Sequence, residues 1–279
     1  MFCTRIVQAD SRSRASPSAI FRLSADLKVF LTGASSGIGA ALARLYARDD
    51  AALGLFARRL DALQRVAAAL APARCAVYAG DVRDAAALQE AAKDFMARFG
   101  VPDVVIADAG LSVGTSTQHV GDNAHFRAVL DTNVVGMLHT FQPFLPAMLG
   151  AGRGKLVGIA SVAGFRGLPG AGAYSASKAA AIAYLESLRV ELAKSGVEVI
   201  TVCPGYIATP MTEHNPYRMP FLLPPDKAAR LIARAIERGR RFYVLPWQIA
   251  WAGRLLRVLP RPLYDLAFSR APRKPRANG

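Results

Sequence analysis

Lys28-Val29-Phe30-Leu31-Thr32-Gly33-Ala34-Ser35-Ser36-Gly37-Ile38-Gly39 is an apolar run closing in a glycine-rich turn, and a helical pattern from Ala40 to Arg48 follows it. A strand, a tight turn and a helix N-terminus in that order make an anion site, because free backbone N–H groups and the helix dipole point at the turn. Glycine is needed where backbone must touch a pyrophosphate and where helix and strand pack closely. The bland alternative is an ordinary strand-to-helix turn. Three glycines at this spacing, placed after a strand, favour a dinucleotide site.

The same alternation continues outward. Ala52 to Ala57 reads as a second strand ending in Arg58-Arg59, and Leu60 to Leu70 as a helix. In dinucleotide folds an acid at the end of this strand binds the ribose hydroxyls, whereas Arg accommodates a 2′-phosphate. Here Ala57 takes the acid's place, so NADP(H) is expected in preference to NAD(H), which stays possible. A third strand, Cys75 to Ala79, is followed by Asp81-Val82, placed to bracket an adenine. Ala85 to Arg98 is an amphipathic helix stopped by Gly100 and Pro102, and Asp103 to Ala107 is a fourth strand leading to Asp108-Ala109-Gly110.

A long helical stretch from about Asp122 to Leu149 contains Asn133 and is interrupted by Pro143 and Pro146. Lys155 to Ala160 is a fifth strand with Ser161 at its end, and Val197 to Val202 a sixth, leading to Pro204-Gly205-Tyr206-Ile207-Ala208-Thr209. Asp226 to Arg238 is a helix and Arg241 to Leu245 a last strand. Strands alternating with helices predict one doubly wound α/β domain, a parallel sheet with helices on both faces. Ligands of such sheets sit beyond the carboxyl ends of the strands.

One helix, running to about Lys194, carries Tyr174-Ser175-Ala176-Ser177-Lys178. Residues four apart on a helix share a face. An ammonium beside a phenol favours the phenolate, so the Tyr174 pKa is expected to fall toward neutrality. Alone this spacing is weak evidence; downstream of the glycine turn and Ser161 it is not.

These residues resemble the short-chain dehydrogenase/reductase family. Thr32-Gly33 through Gly37-Ile38-Gly39, Asp81-Val82, Asn133, Ser161, Tyr174-x-x-x-Lys178 and Pro204-Gly205 stand in that family's order over about residues 28–250. The resemblance implies a Rossmann-type sheet of about seven strands, assembled as homodimers or homotetramers through long helices. It implies that Tyr174 exchanges a proton with a carbonyl or alcohol and that Lys178 lowers its pKa and holds the nicotinamide ribose. Ser161 would bind the substrate oxygen, and Asn133 a relay water. Gly33, Ser35, Ser36, Ile38, Arg58 and Arg59 would hold phosphates and ribose, with Ala109 and Gly110 near the cofactor ribose. Ile207 and Thr209 would orient the carboxamide. Simpler roles stand beside these: a turn former for Ser161, a buried amide for Asn133, a helix cap for Thr209. One residue departs from the family's pattern, Asp108 where Asn is usual; an ionised carboxylate accepts hydrogen bonds but cannot donate one.

With 279 residues the chain holds one such domain and a full core. Its net charge of +15 suggests nucleic acid or an anionic surface. Residues 1–28 contribute +3 and residues from Gly253 onward +6, so much of the excess sits at the ends. No aromatic-interleaved basic module accompanies it, and no nucleic-acid partner is expected. Cys3, Cys75 and Cys203 lack metal-type spacing, His is scarce, and no metal site is expected. Reduced cysteines and the lack of a secretory h-region or a run of about 20 apolar residues suit a cytoplasmic protein.

Residues 1–27 are expected as a disordered extension, with a translation start at codon 27 as the alternative. Met211 to Pro225, rich in apolar residues and proline, lies where the resemblance places a substrate cover, so a hydrophobic carbonyl or alcohol is expected. Residues 251–279 form an amphipathic basic extension. Overlapping its start, Trp247 to Leu259 covers the pocket or a subunit interface, or else lies on an anionic membrane surface. Arg270 to Arg276 reads as a disordered tail. The expected function is an NADP(H)-dependent oxidoreductase; a dinucleotide-binding sensor or scaffold without turnover is the alternative.

Overall fold

Every apolar run read as a strand is one. In the computed structural model, which describes residues 26–276 apart from 49, 214 and 216, the strands are β1 (Lys28–Thr32), β2 (Ala52–Ala57), β3 (Cys75–Ala79), β4 (Val104–Ala107), β5 (Gly154–Ile159), β6 (Val197–Pro204) and β7 (Phe242–Leu245). They form one parallel sheet in the order β3-β2-β1-β4-β5-β6-β7. The chain winds outward from β1 to β3, then crosses back to lay β4 on the other side of β1. Thr32 therefore stands beside both Phe56 and Ala107. Gly33 and Asp108 leave the sheet side by side at this switch point, where a crevice opens.

Helices α1 (Gly37–Ala47), α2 (Leu60–Ala68), α3 (Ala85–Phe99), α4 (Asn123–Leu130), α5 (Gly136–Phe141), α6 (Leu145–Ala151), α7 (Gly172–Glu191), α8 (Pro210–Glu213), α9 (Pro225–Glu237), α10 (Trp247–Val258) and α11 (Arg261–Phe268) complete the architecture. The strands have two apolar faces because each is covered twice. Val29, Leu31, Val104, Ile106, Val157, Ile200 and Val202 pack with Leu42 and Tyr46 of α1, Leu63 of α2 and Ile232 of α9. Phe30, Val105, Leu156 and Val199 face the other way, onto Phe95 of α3, Phe141 of α5 and Leu185 of α7. Each fully buried side chain of this size contributes roughly 1.5–3 kcal/mol, so two such layers hold the strand ends in place.

The stretch from 122 to 149 is more broken than its prolines require. A 3₁₀ turn (Val120–Asp122), α4, a π-helical turn (Asp131–Val135), α5 and α6 follow one another. The extra residue in the π turn reorients Asn133, which is 1 % exposed.

The basic C-terminal stretch also differs from expectation, since Arg270 to Arg276 is docked. The Arg276 guanidinium donates to both oxygens of Asp122, at 2.9 and 3.0 Å, and the buried Asp122 carboxylate also accepts the Ser116 N–H. Lys274 Nζ donates to Ser112 Oγ at 2.6 Å, and Arg276 pairs with Gly114 in an isolated parallel bridge. Upstream, Tyr264 of α11 donates to the Gly167 carbonyl at 2.5 Å while Arg166 lies over its ring at 4.3 Å. A run of basic residues reads as solvated chain until a buried carboxylate 154 residues away is known to wait for it.

The expectation for residues 1–27 lies outside the described residues, except for Asp26 and Leu27. Asp26 pairs with Arg74 at 2.7 Å, and Leu27 packs against the core. Among the described residues no helix is long and apolar enough to cross a membrane, and no group of three metal-ligating side chains gathers.

Candidate active site

A cleft of about 320 Å³ opens over the carboxyl ends of the strands. Its wall contains Gly33, Ser35, Ser36, Ile38, Arg58, Arg59, Asp81, Val82, Ala109, Gly110, Ser161, Tyr174, Lys178, Pro204, Gly205, Ile207 and Thr209. Asn133 stands behind the wall.

The nucleotide side is built by close backbone approach. Gly33 has φ +72°, and a Cβ there would sit 2.8 Å from Ala109 N; one on Gly39 would strike the Gly33 carbonyl. Stripped of side chains, the turn seats against β4 and presents Ser35 to Ile38 to the cleft. Ser36, the N-cap of α1, makes no side-chain capping bond, and no acid stands in the first turn. Apart from Gly39, whose N–H faces the Asp108 carboxyl, the helix start keeps free N–H donors at its positive end, a donor set that fits a pyrophosphate. Arg58 and Arg59 are exposed at the rim. Asp81 is held by a fork from Arg83, at 2.7 and 3.1 Å, which keeps its carboxyl below the usual range.

The other side is carried by α7 and the turn after β5. Tyr174 and Lys178 project from α7 one turn apart, Tyr174 half-buried and Lys178 4 % exposed. Lys178 Nζ donates to the Ile159 carbonyl at 2.7 Å and lies 5.8 Å from the centre of the Tyr174 ring. Ser161 caps the 3₁₀ turn Val162–Gly164, its Oγ accepting the Ala163 N–H at 3.1 Å. Gly164 makes this meeting possible: a Cβ there would come within 2.6 Å of the Lys178 carbonyl carbon. The missing side chain lets the Ser161 turn pack on the α7 backbone, with the Ser161 hydroxyl facing the Tyr174 phenol and donating to the Pro204 carbonyl at 3.4 Å.

Electrostatics here correct one expectation. Burial pushes the Tyr174 phenol up to about 12, with the Ser161 hydroxyl opposing and the charge of Asp108 adding to the rise. The nearby Lys178 ammonium does not outweigh that burial. The ammonium itself is lowered to about 8 by burial, against the charge of Asp108. Desolvation dominates both groups, because the wall leaves them little water. Asp108 is raised to about 7, also by burial, with Lys178 and the Gly39 N–H acting against the shift.

Asn133 holds the Leu111 main chain, which continues from Gly110. Leu111 N–H donates to its Oδ1 at 2.7 Å, and Nδ2 donates to Leu111 O and to Ser177 Oγ, each at 2.9 Å. Ser177 donates in turn to the Tyr174 carbonyl at 2.7 Å. Thr212 ties the far wall, with Oγ1 donating to Ile207 O at 2.6 Å and accepting the Thr209 N–H at 3.1 Å.

Several participants escaped the sequence reading. Gly164 carries no motif signal beyond being a glycine three residues after Ser161. Ser177 and Thr212 are common polar residues whose partners lie in other elements. The strap from Tyr264 to Arg276 covers segments 111–116 and 165–172, which lead out of Gly110 and into Tyr174.

The comparisons with known proteins agree with this geometry. A family model described as short chain dehydrogenase matches residues 28–218. An uncharacterized oxidoreductase of Myxococcus xanthus (strain DK1622) is 40 % identical over 242 residues, 86 % of this chain and 95 % of its own. A variant of actinorhodin polyketide ketoreductase, solved with NADPH, superposes with a TM-score of 0.72 at 26 % identity, over 79 % of this chain and 95 % of that one. A short-chain dehydrogenase/reductase from Burkholderia phymatum, solved with NAD, superposes with a TM-score of 0.76 at 27 % identity, over 90 % and 98 %. The chain belongs to the short-chain dehydrogenase/reductase family, and it is an oxidoreductase of the nicotinamide-dinucleotide kind.

Proposed function

We propose that the enzyme transfers a hydride between NADP(H), used in preference to NAD(H), and an apolar ketone, aldehyde or secondary alcohol, with Tyr174 exchanging the proton. The observation that carries this reading is the convergence of the Tyr174 phenol, the Ser161 hydroxyl and the Lys178 ammonium on one cleft with the glycine turn.

A bound nicotinamide supplies or takes the hydride at its C4 carbon. This chain's own residues bind, orient and move the proton. A phenol with a pKa of about 12 is fully protonated at neutral pH, so Tyr174 is ready as the donor when a carbonyl gains negative charge. Ser161, facing the same phenol, is placed to donate to that oxygen. Lys178 brings a desolvated positive charge to the same pocket, which favours the phenolate once the proton has left. Asn133 has both N–H donors committed but keeps a lone pair on Oδ1, enough to accept from a relay water.

The NADP(H) preference rests on Arg58 and Arg59 at the end of β2 with no acid before them. The apolar substrate rests on Met211, Phe221 and Leu222, exposed beside the Ile207–Thr212 wall, and on the Leu223 main chain, which pairs with Tyr206 and Ala208. A homo-oligomer built through the long helices and a cytoplasmic location complete the reading.

Its test is NADPH oxidation over a panel of apolar carbonyls, with NADH alongside. Turnover should be abolished in Tyr174→Phe while dinucleotide binding persists. Arg58→Ala with Arg59→Ala should raise KM for NADPH about tenfold or more and leave NADH unaffected. Tight NADPH binding without turnover of any carbonyl would instead make the protein a sensor or scaffold.

A further inference from the structure

Helix α10 has two faces of opposite character. Ile249 and Gly253 are buried; Ile249 packs on Gly205 of the cleft wall, and Gly253 lies so close to the Phe165 ring that a Cβ would come within 2.7 Å of it. On the opposite face stand Trp247, Trp251, Leu255 and Val258, spaced by four, four and three residues and 69, 64, 66 and 75 % exposed. Leu263 and Leu266 of the next helix are exposed as well. Large apolar side chains this open, in one contiguous row, mark an interaction surface.

The charges around the row say what it meets. Arg254 borders it, its guanidinium 5.3 Å from the Trp251 ring, and Arg257 and Arg261 are exposed nearby. Helix α10 contains no acidic residue, and α11 contains only Asp265. A two-fold contact between copies through this face would set Arg254 and Arg257 against their own counterparts, an arrangement that disfavours self-pairing. An anionic lipid surface satisfies both features: tryptophan rings at headgroup depth, apolar side chains just below, guanidiniums on phosphate oxygens.

We propose that the outer face of α10, with Leu263 and Leu266 of α11, docks the enzyme on an anionic lipid bilayer. The helix lies in the membrane plane, and its inner face keeps Ile249 on Gly205. A docked bilayer therefore stands one helix away from the cofactor cleft.

The chain contains two tryptophans, and both are on this face. Their emission reports docking directly. The full-length protein is mixed with phosphatidylcholine vesicles holding about 30 % phosphatidylglycerol, at low ionic strength, and followed by flotation and tryptophan emission. Co-flotation with a blue shift is expected, weakened about tenfold or more when salt shortens the screening length to a few ångströms. Arg254→Gln with Arg257→Gln should weaken flotation, and Trp251→Glu with Leu255→Glu should abolish it while the circular-dichroism spectrum is kept.

Absence of flotation and blue shift at low salt overturns the proposal. So does flotation that survives Trp251→Glu with Leu255→Glu, because another surface is then responsible. A drop in oligomeric mass on that double substitution, read by light scattering, also overturns it and assigns the face to a second copy. No readout here depends on turnover, so failure would leave the oxidoreductase reading intact.

Discussion

Asn133 and Leu111 hold each other by two hydrogen bonds, the Leu111 N–H into Oδ1 at 2.7 Å and the Asn133 Nδ2 into the Leu111 carbonyl at 2.9 Å. One side chain thus serves as a strand partner for a single residue of the loop leaving β4. Asn133→Leu leaves both Leu111 groups and Ser177 without that partner. Each buried polar group orphaned this way costs about 1–3 kcal/mol. A lower unfolding midpoint and a reduced kcat are expected together, from thermal melts and NADPH-oxidation rates. Unchanged stability would mean that water replaces the amide.

Asp108 predicts a pH-dependent stability. Its carboxyl is raised to about 7 by burial, facing Lys178 and Tyr174 from α7 and the Gly39 N–H from α1. An acid with a raised folded pKa binds its proton more tightly folded than unfolded. Stability is therefore lost as pH climbs from about 4 to about 7, and the deficit persists above that. Asp108→Asn removes it. The variant should melt higher than the parent, by a wider margin at about pH 8 than at about pH 5.5. An equal margin at both would exclude this ionisation as the cause.

Gly164 separates chemistry from cofactor binding. A Cβ there has 2.6 Å to the Lys178 carbonyl carbon, so Gly164→Ala must push the Ser161 turn off α7. Displacement of a reacting group by about 1 Å costs on the order of 100-fold in rate. The expected result is a kcat lowered about 10- to 100-fold with the Kd for NADPH nearly unchanged. Equal damage to both would point to general unfolding.

The Asp122–Arg276 pair predicts a coupled response. Arg276 holds the Asp122 carboxyl down at about 2, so the pair contributes stability above the ordinary carboxylate range and loses it only as pH falls toward 2. Arg276→Ala should speed proteolysis of segments 111–116 and 165–172 and raise KM for the carbonyl more than KM for NADPH. Asp122→Asn added to it should do little more, since partners in one contact are not additive. Additive losses would show that the two act separately.

The fold was readable because its signals are local. An apolar run, a glycine turn and a helix start recur, and each strand is buried on both faces, so Val29, Val105 and Ile200 announce themselves by composition. Ser161, Tyr174 and Lys178 were legible for the same reason, as short motifs at strand and helix ends. What escaped depends on distant partners or on competing energies. Arg276 needs Asp122, and Gly164 needs the backbone of α7. The phenol's pKa turned on whether burial or the ammonium dominates, which spacing cannot decide. The π turn around Asn133 left no pattern distinct from an ordinary helix.

The strap from Tyr264 to Arg276 lies beyond residues 28–218, the stretch that the family model matches. It holds segments 111–116 and 165–172 from outside the cleft wall, apart from Tyr174, Lys178 and the glycine turn. For an engineer the same partition suggests chimaeras: transplanting the last two helices and their tail between relatives asks whether the segments they brace set substrate choice, with the redox engine left alone.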